Sequence, residues 1–576
     1  MNLNTLKNNI ALQILRFKNT PKKIPYIFMT LPIIFYLWII LRFTINMPYW
    51  DDYDSVLNWI NRFVTHQNNC NYLISMLFEQ HNEHRILFDR IFILFDYYVF
   101  GSINFIFLNY IGYLGLFALF GLMLWISVKK GLSGVYLIPI PFLIFALCQN
   151  ELISFAMASM QQYWQFFFCL LAIILITKSE DIKTSYLSLS LLFSIIASFT
   201  GAGGLIVFPA ILIYLIIYKK GLKNIIIWLS FSSLIFIFYF IILQYHQTAI
   251  SIASHQFVIE HPLEYIEYIF CFLGGIAGLK ISSFICGALL FVSLILLSLK
   301  YNKNTTTILV FFFIVSTAAA GLSRISLGVV EAISSRYTIY SISLLVICYI
   351  FFVSQLKSTF FRKIFFIFSL TVSLAFFLYW IPKGIAPLRN KEVLLSSSLV
   401  YPSEQRAVKI LETSAKLGTF MPIAQIYKFL PSYYAFAISL NQPTSYTIES
   451  IKLNDNKSLY NLAQNPTQPT EITITKNDKD NIIQISGWAV DSIEKNADRG
   501  VIAVIDSKYF YPLGNGIQRP DVSKFFNNTN YEYSGFNGSI PLSDLSYGKH
   551  ILTLRIVNYN ETGYYESKPI ELNIEK

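Results

Sequence analysis

The residues best equipped for chemistry begin at Asn46. The stretch "NMPYWDDYDS" sets Asp51, Asp52 and Asp54 close together, directly behind the apolar run "IPYIFMTLPIIFYLWIILRFTI". Adjacent acids point to different faces of a helix or strand, so Asp51 and Asp52 do not flank a single bond as a facing pair. One can face a pocket while the other accepts backbone donors or holds a metal. A carboxylate against apolar walls is pushed up in pKa, and a nearby cation pulls it back. Such a group can take the proton of a hydroxyl as that hydroxyl attacks. The competing use is structural: Asp54 stands just before the helix-like "SVLNWINRFV" and suits its N-cap.

"QHNEHR" supplies His81, Glu83, His84 and Arg85. It matches neither H-E-x-x-H nor H-x-x-E-H, so the zinc-peptidase signatures fail. Its histidines could share a divalent cation with a carboxylate, or donate hydrogen bonds to hydroxyls or phosphate. If "HRILFDRIFILFDYYVFG" is one helix, Arg85, Asp89 and Asp96 share a face with His81 extending the stripe. A polar stripe at membrane depth must face protein or a water-filled cavity. The plainer alternative is an Arg85–Asp89 pair that steadies a loop helix. "SRISLGVVEAISSRY" holds Arg324, Glu331 and Arg336. Arginine suits bidentate contact with phosphate, although arginines at helix ends also snorkel to the interface. "MASMQQYWQ" adds Gln161, Gln162 and Trp164, a set suited to hydroxyls and apolar sugar faces, or to an aromatic belt. "TGAGG" (200–204) lacks the G-K-[ST] of a phosphate loop and reads as a tight turn or close helix packing.

These residues must be positioned by an unusually apolar chain. Of 576 residues, 55% are hydrophobic and 13% charged, against about 25% charged in soluble domains. A scan for apolar runs predicts about eleven membrane spans. They fall near 25–46, 103–127, 133–149, 161–177, 185–200, 204–218, 224–244, 281–299, 305–322, 337–356 and 363–381. The N-terminal run is long and has no small-residue cleavage site, so it reads as an uncleaved first helix. With the basic N-terminus inside, Lys129, Lys130, Lys178, Lys183, Lys219, Lys220, Lys223, Lys300, Lys303, Lys357, Arg362 and Lys363 all fall on inner loops. That is the positive-inside pattern. The net charge of +11 therefore marks orientation and anionic lipid contact, not nucleic acid. Every polar oddity above collects on the other face. "SVLNWINRFV" reads there as an amphipathic helix in the membrane interface.

After Ile381 the long apolar runs stop. "SEQRAVKILETSAKL" and "MPIAQIYKFLPSYYAFAIS" read as helical. From Glu471, "EITITK", "NIIQISGWAV", "GVIAVID", "HILTLRIV" and "IELNIEK" alternate at the strand period between Gly/Asn turns. A small β-sandwich is expected. No cysteine follows Cys348, so this part has no disulfide framework. The fold class expected is an all-α polytopic membrane domain followed by an external α+β region ending in a β-sandwich. Its parts are a cytoplasmic basic N-terminus (1–24), a transmembrane domain (25–381, first outer loop 47–102), an external helical connector (382–470) and the β-sandwich (471–576).

A first helix, an acidic motif opening a long first outer loop, helices within that loop, many further spans and an external C-terminal domain together resemble the GT-C glycosyltransferase superfamily. Protein O-mannosyltransferases, aminoarabinose transferases and oligosaccharyltransferases share the layout; bacterial O-antigen glucosyltransferases are a looser match. The resemblance covers residues 1–380 by architecture. Its specific motif is "WDDYD", with Asp where the mannosyltransferases carry the Glu of an Asp-Glu pair. It implies an inverting glycosyltransferase of the bacterial inner membrane that takes sugar from a polyprenyl-phosphate carrier to a glycan, lipid or protein acceptor. Asp51 would be the base and Asp52 its support, or, with the register one residue on, Asp52 would be the base. Outside that family pattern, the residue types of His81, Glu83, His84, Arg85, Gln162, Trp164, Arg324, Glu331 and Arg336 suit contact with sugar or phosphate, and a divalent cation is a possible cofactor. The alternatives are a lipid-linked glycan flippase, which needs charge at the bilayer midplane, and a non-catalytic glycan-binding membrane protein.

Overall fold

The structure is a computed structural model that describes residues 24–300, 303–400, 405–420, 446–453, 459–461, 471–475, 482–542, 545–560 and 563–575. The basic N-terminus and "MPIAQIYKFLPSYYAFAIS" lie outside the described residues. By compactness the chain forms two units. One holds the residues up to Thr44, Cys70–Phe92 and Leu108–Gly384; the other holds Ile45–Asn69, Ile93–Phe107 and Ile385–Lys576.

Among the described residues, 8 helices are long and apolar enough to cross a membrane: Pro25–Phe43, Phe105–Lys129, Ala156–Ile176, Leu222–Ile242, Lys280–Lys300, Asn304–Leu327, Ser335–Gln355 and Thr359–Leu388. Their length and composition suit a multi-pass membrane protein. They are apolar on every side, as helices between lipid and a protein core must be. In the first, Tyr36, Ile39 and Ile40 are buried while Ile34, Trp38 and Leu41 are exposed. The count differs from the eleven expected. Gly134–Ile144, Thr184–Ser198 and Ala202–Ile217 are apolar helices at the expected places, but shorter than a span.

Hydrogen bonds show how the first unit is threaded. At one end Thr305 Oγ1 donates to Thr177 Oγ1 (3.1 Å), Tyr218 OH meets Thr307 Oγ1 (2.9 Å) and Lys220 Nζ donates to the Glu180 carbonyl (2.8 Å). Tyr349 OH reaches the Tyr136 carbonyl (2.7 Å) and Arg362 the Gly131 carbonyl (3.4 Å). At the other end Gln165 donates to Tyr340 OH (2.8 Å), the Ala202 N–H meets His84 (3.3 Å) and the Glu151 N–H donates to Ser335 Oγ (3.0 Å). The three short helices thus run between the same two ends as their longer neighbours, and the lysine-bearing loops gather at the first end.

Glycines set the closest helix approaches. A Cβ on Gly112 would lie 2.7 Å from Ser159 Cβ, where Phe105–Lys129 crosses Ala156–Ile176. One on Gly287 would lie 1.9 Å from the Phe270 carbonyl oxygen, where Lys280–Lys300 meets Pro262–Leu273.

In the second unit a π-helical turn, Tyr53–Asn58, runs into the helix Trp59–Thr65. The expectation of an interfacial helix is corrected here: Val56, Leu57, Trp59 and Ile60 are all buried in protein. Asn61 Nδ2 donates to Ser414 Oγ of the helix Gln405–Leu417 at 2.8 Å, and Thr419 Oγ1 donates to Asn61 Oδ1. The capping expectation is corrected too. Asp54 lies inside the π-turn, and Asp52 holds the position before it.

The C-terminal strands are β3 (Tyr446–Leu453), β4 (Leu459–Asn461), β5 (Glu471–Thr475), β6 (Ile482–Asp491), β7 (Asn496–Ala497), β8 (Gly500–Ile505), β9 (Tyr509–Ile517), β10 (Gly535–Pro541), β11 (Gly548–Val557), β12 (Tyr564–Glu566) and β13 (Ile570–Glu575). β1 (Gln80–His81) and β2 (His84–Arg85) form a separate hairpin. The C-terminal strands follow the order β4-β3-β6-β10-β9-β8-β11-β13-β5, antiparallel except for β13 on β5. β9 pairs with both β10 and β8 and so joins the two halves of one sheet. Ile485 and Phe536 from one half share a core with Leu554 and Leu572 from the other, which is the burial expected of a sandwich, made by a single sheet. All six cysteines are free, and Cys70 is exposed.

Candidate functional site

"QHNEHR" folds as a hairpin, not as the start of a helix. β1 (Gln80–His81) pairs with β2 (His84–Arg85), and Asn82 takes a positive φ of 49° in the turn between them. The hairpin is clamped to the segment after the helix Leu222–Ile242. Gln80 exchanges hydrogen bonds with the backbone of His246, at 2.6 and 3.0 Å. Arg85 donates to the carbonyls of Phe78 (2.6 Å), Leu243 (2.7 Å) and Tyr239 (3.2 Å). That helix ends in a π-turn, Ile237–Ile242, and helix ends leave carbonyls without intrahelical donors. Arg85 fills that need. The stripe expected for Arg85, Asp89 and Asp96 does not form, because the helix begins only at Leu87.

The hairpin presents Glu83 and His84 to a cavity of about 440 Å³. Gln162, Gln165, Tyr245, His255, Arg324 and Tyr337 share its walls. Glu83 Oε2 accepts from Arg324 Nη2 at 2.7 Å, and its Oε1 accepts from Thr248 Oγ1 at 2.6 Å. Burial pushes the Glu83 carboxyl up, but Arg324, Thr248 and His84 outweigh that and hold it below the ordinary value. Glu83 is an anchored carboxylate, and Arg324 makes this single hydrogen bond among the described residues.

Burial pushes the His84 pKa down to about 4, so the ring is neutral near pH 7. Its Nδ1 accepts the Ala202 N–H at 3.3 Å. The proton therefore resides on Nε2, and the side chain offers the cavity one neutral N–H donor. The glycines of "TGAGG" explain the approach of that loop. A Cβ on Gly203 would stand 2.5 Å from Gln165 Nε2, and one on Gly204 would stand 2.2 Å from the Ala197 carbonyl carbon. The close-packing reading of this stretch therefore describes it.

The other expected site residues fall elsewhere. Trp164 donates Nε1–H to the Ile111 carbonyl at 2.8 Å and stacks on Phe168, bonding two helices together. Arg336 pairs with Glu151 at 2.9 Å and also with Glu331. Ser334 Oγ closes on Glu151 at 3.0 Å. These contacts lock the 3₁₀ turns Val329–Ile333 and Ser335–Tyr337 onto Leu147–Leu152. His81 opposes His84 across the hairpin but does not line the cavity. Among the described residues no group of three or more His, Cys, Asp and Glu side chains could hold a metal. The donor set does not fit the divalent cation.

Asp51 and Asp52 belong to the other unit. Asp52 is fully buried, and its Oδ2 accepts the Tyr49 N–H at 3.1 Å. Asp51 is half-buried, and its carbonyl accepts the N–H groups of Asp54 and Ser55. Lys391 lies 3.9 Å from the centre of the Tyr49 ring. Sequence reasoning missed Thr248, Tyr245, His255 and Tyr337. The one available signal was the polar stretch "QYHQT" (244–248) between apolar runs. No family model, no curated protein and no solved structure matches this chain.

Proposed function

We propose that the chain is a glycosyltransferase of a bacterial cytoplasmic membrane. It moves a glycosyl group from a polyprenyl-phosphate carrier to a hydroxyl of a glycan, lipid or protein acceptor on the outer face. The observation that carries this reading is the cavity holding Arg324, its anchoring Glu83 and the neutral His84, at the end of the bundle away from the lysine loops.

In the reaction the acceptor oxygen attacks the anomeric carbon from the face opposite the carrier, the C–O bond to phosphate breaks, and its electron pair stays on the phosphate. Charge develops on that phosphate, and the Arg324 guanidinium with the His84 Nε2–H stabilises it. Gln162, Tyr337 and His255 line the same cavity and suit sugar hydroxyls, since each side chain carries hydrogen-bonding groups. Exclusion of water between apolar helices favours transfer over hydrolysis. The superfamily resemblance, and not the cavity, supplies the base: it implies that Asp51 takes the acceptor proton. The arrangement of Asp52, buried on the Tyr49 N–H, supports the split of one reacting acid and one positioning acid.

The test is transfer by the purified chain from a panel of polyprenyl-phosphate sugars. Arg324→Gln should reduce turnover by about a hundredfold, the loss typical of one oxyanion donor, with folding intact. If Arg324→Gln and Asp51→Asn both transfer as the wild type does, the reading fails.

A further inference from the structure

A second cavity, of about 680 Å³, opens in the first unit, and its walls are almost wholly hydrocarbon. Leu290, Leu297, Leu345, Phe365, Phe368 and Val372 line it, from the helices Lys280–Lys300, Thr338–Gln355 and Thr359–Val400. It occupies the half of the bundle that ends in the lysine loops, and Lys300 stands at its rim. Two more cations stand at the same lysine end of the bundle. Lys130 Nζ lies 4.9 Å from the centre of the Phe351 ring, next to the lining residue Phe352. Arg362 lies 4.5 Å from that of Tyr136, whose carbonyl accepts from the lining residue Tyr349. Arg362 Nε has no hydrogen-bond partner among the described residues. Among the described residues no acidic side chain lines the cavity.

Water finds few partners along such walls, so the trough suits a hydrocarbon chain. Cations gathered at its lysine end suit an anionic head group, the combination by which basic pockets between membrane helices hold acidic lipids. We propose that the trough binds one acyl chain of an anionic phospholipid from the leaflet that faces the lysine loops, its phosphate held by Lys300 with Lys130 and Arg362. This site is separate from the one proposed for transfer. The helix Lys303–Arg324 leads from the lysine end to the Arg324 cavity through 22 residues, about 33 Å.

The full chain, purified in a neutral detergent, tests this by native mass spectrometry with added phosphatidylglycerol or phosphatidylcholine. A single phosphatidylglycerol is expected to stay bound where phosphatidylcholine does not. Lys300→Gln should weaken it about fivefold, the worth of one cation beside an anionic head group. Ser369→Phe, which fills the trough, should abolish it. Ser373→Leu serves the same purpose if Ser369→Phe lowers the melting temperature. Equal retention of both lipids overturns the proposal, as does a filled variant that melts normally and keeps its phosphatidylglycerol. Displacement of phosphatidylglycerol by a polyprenyl phosphate at equal concentration also overturns it and gives the trough to the carrier.

Discussion

Arg85 and Arg324 bring the same charge to neighbouring ground and do different things with it. Arg85 donates to backbone carbonyls at a helix end, while Arg324 faces a cavity with one carboxylate on it. Arg85→Lys keeps the charge but cannot reach three carbonyls in one plane. It should lower the melting temperature and leave the cavity chemistry in place. Glu83→Gln removes the charge that anchors Arg324, at about 1.5–3 kcal/mol for a charged hydrogen bond. The expected result is a lower melting temperature with Arg324 less well positioned, read as a rise in KM for the proposed polyprenyl-phosphate carrier. The acid pair divides likewise. Asp51→Asn should lose transfer with an unchanged melting temperature. Asp52→Asn should lose stability, because a buried group holding the Tyr49 N–H is replaced by an amide that orients differently. Equal melting temperatures for the two variants would remove the distinction.

At the scale of elements, Asp96 on the helix Leu87–Phe100 is fully buried. Its Oδ2 accepts the Asn104 N–H at 2.6 Å, and its Oδ1 has no hydrogen-bond partner among the described residues. Burial pushes its pKa up to about 7, with the Asn104 bond opposing. In the unfolded chain it ionises near pH 4; in the folded chain it keeps its proton until about pH 7. The unfolded state therefore binds fewer protons across that window, so stability falls as pH rises from about 4 to about 7 and levels off above. Asp96→Asn should remove this slope, melting above the wild type at pH 8 and level with it near pH 4. The Gly287 crossing makes a second element-scale prediction. With the Phe270 oxygen 1.9 Å from an added Cβ, Gly287→Ala must push two helices apart, at about 1–3 kcal/mol.

For the whole molecule, the apolar runs and the sorting of lysines were legible because both follow from composition and length. Every run became an apolar helix. What was not legible depended on partners distant in sequence. The apolar face of Val56–Ile60 reads the same whether lipid or protein covers it, and its cover includes the helix Gln405–Leu417, more than 300 residues away. Arg85 looked helical because nothing local announces the turn at Asn82. The cavity's Tyr245, His255 and Tyr337 come from three segments that share no motif. Parity is testable at this scale. If the three short helices cross the bilayer along with the 8 long ones, the odd total puts residues after Ile381 opposite the lysine loops. A phosphatase fused there should be active outside the cell; an inactive fusion would mean an even count and would move the C-terminal sheet to the cytoplasm.

The short helices also have a consequence for the surrounding lipid. Thr184–Ser198 has 15 residues, about 22 Å of helix, beside a hydrocarbon layer ~30 Å thick. Leu189 and Leu192 on it are exposed, so no neighbouring helix among the described residues hides the mismatch there. If this helix crosses, the bilayer must thin locally against this side of the protein, or the helix must pull polar ends toward the interior. Either response makes acyl-chain length a control on stability. Reconstituted into bilayers of increasing thickness, the chain should melt highest in the thinner ones, and a four-residue apolar insertion in Thr184–Ser198 should shift that optimum toward thicker membranes.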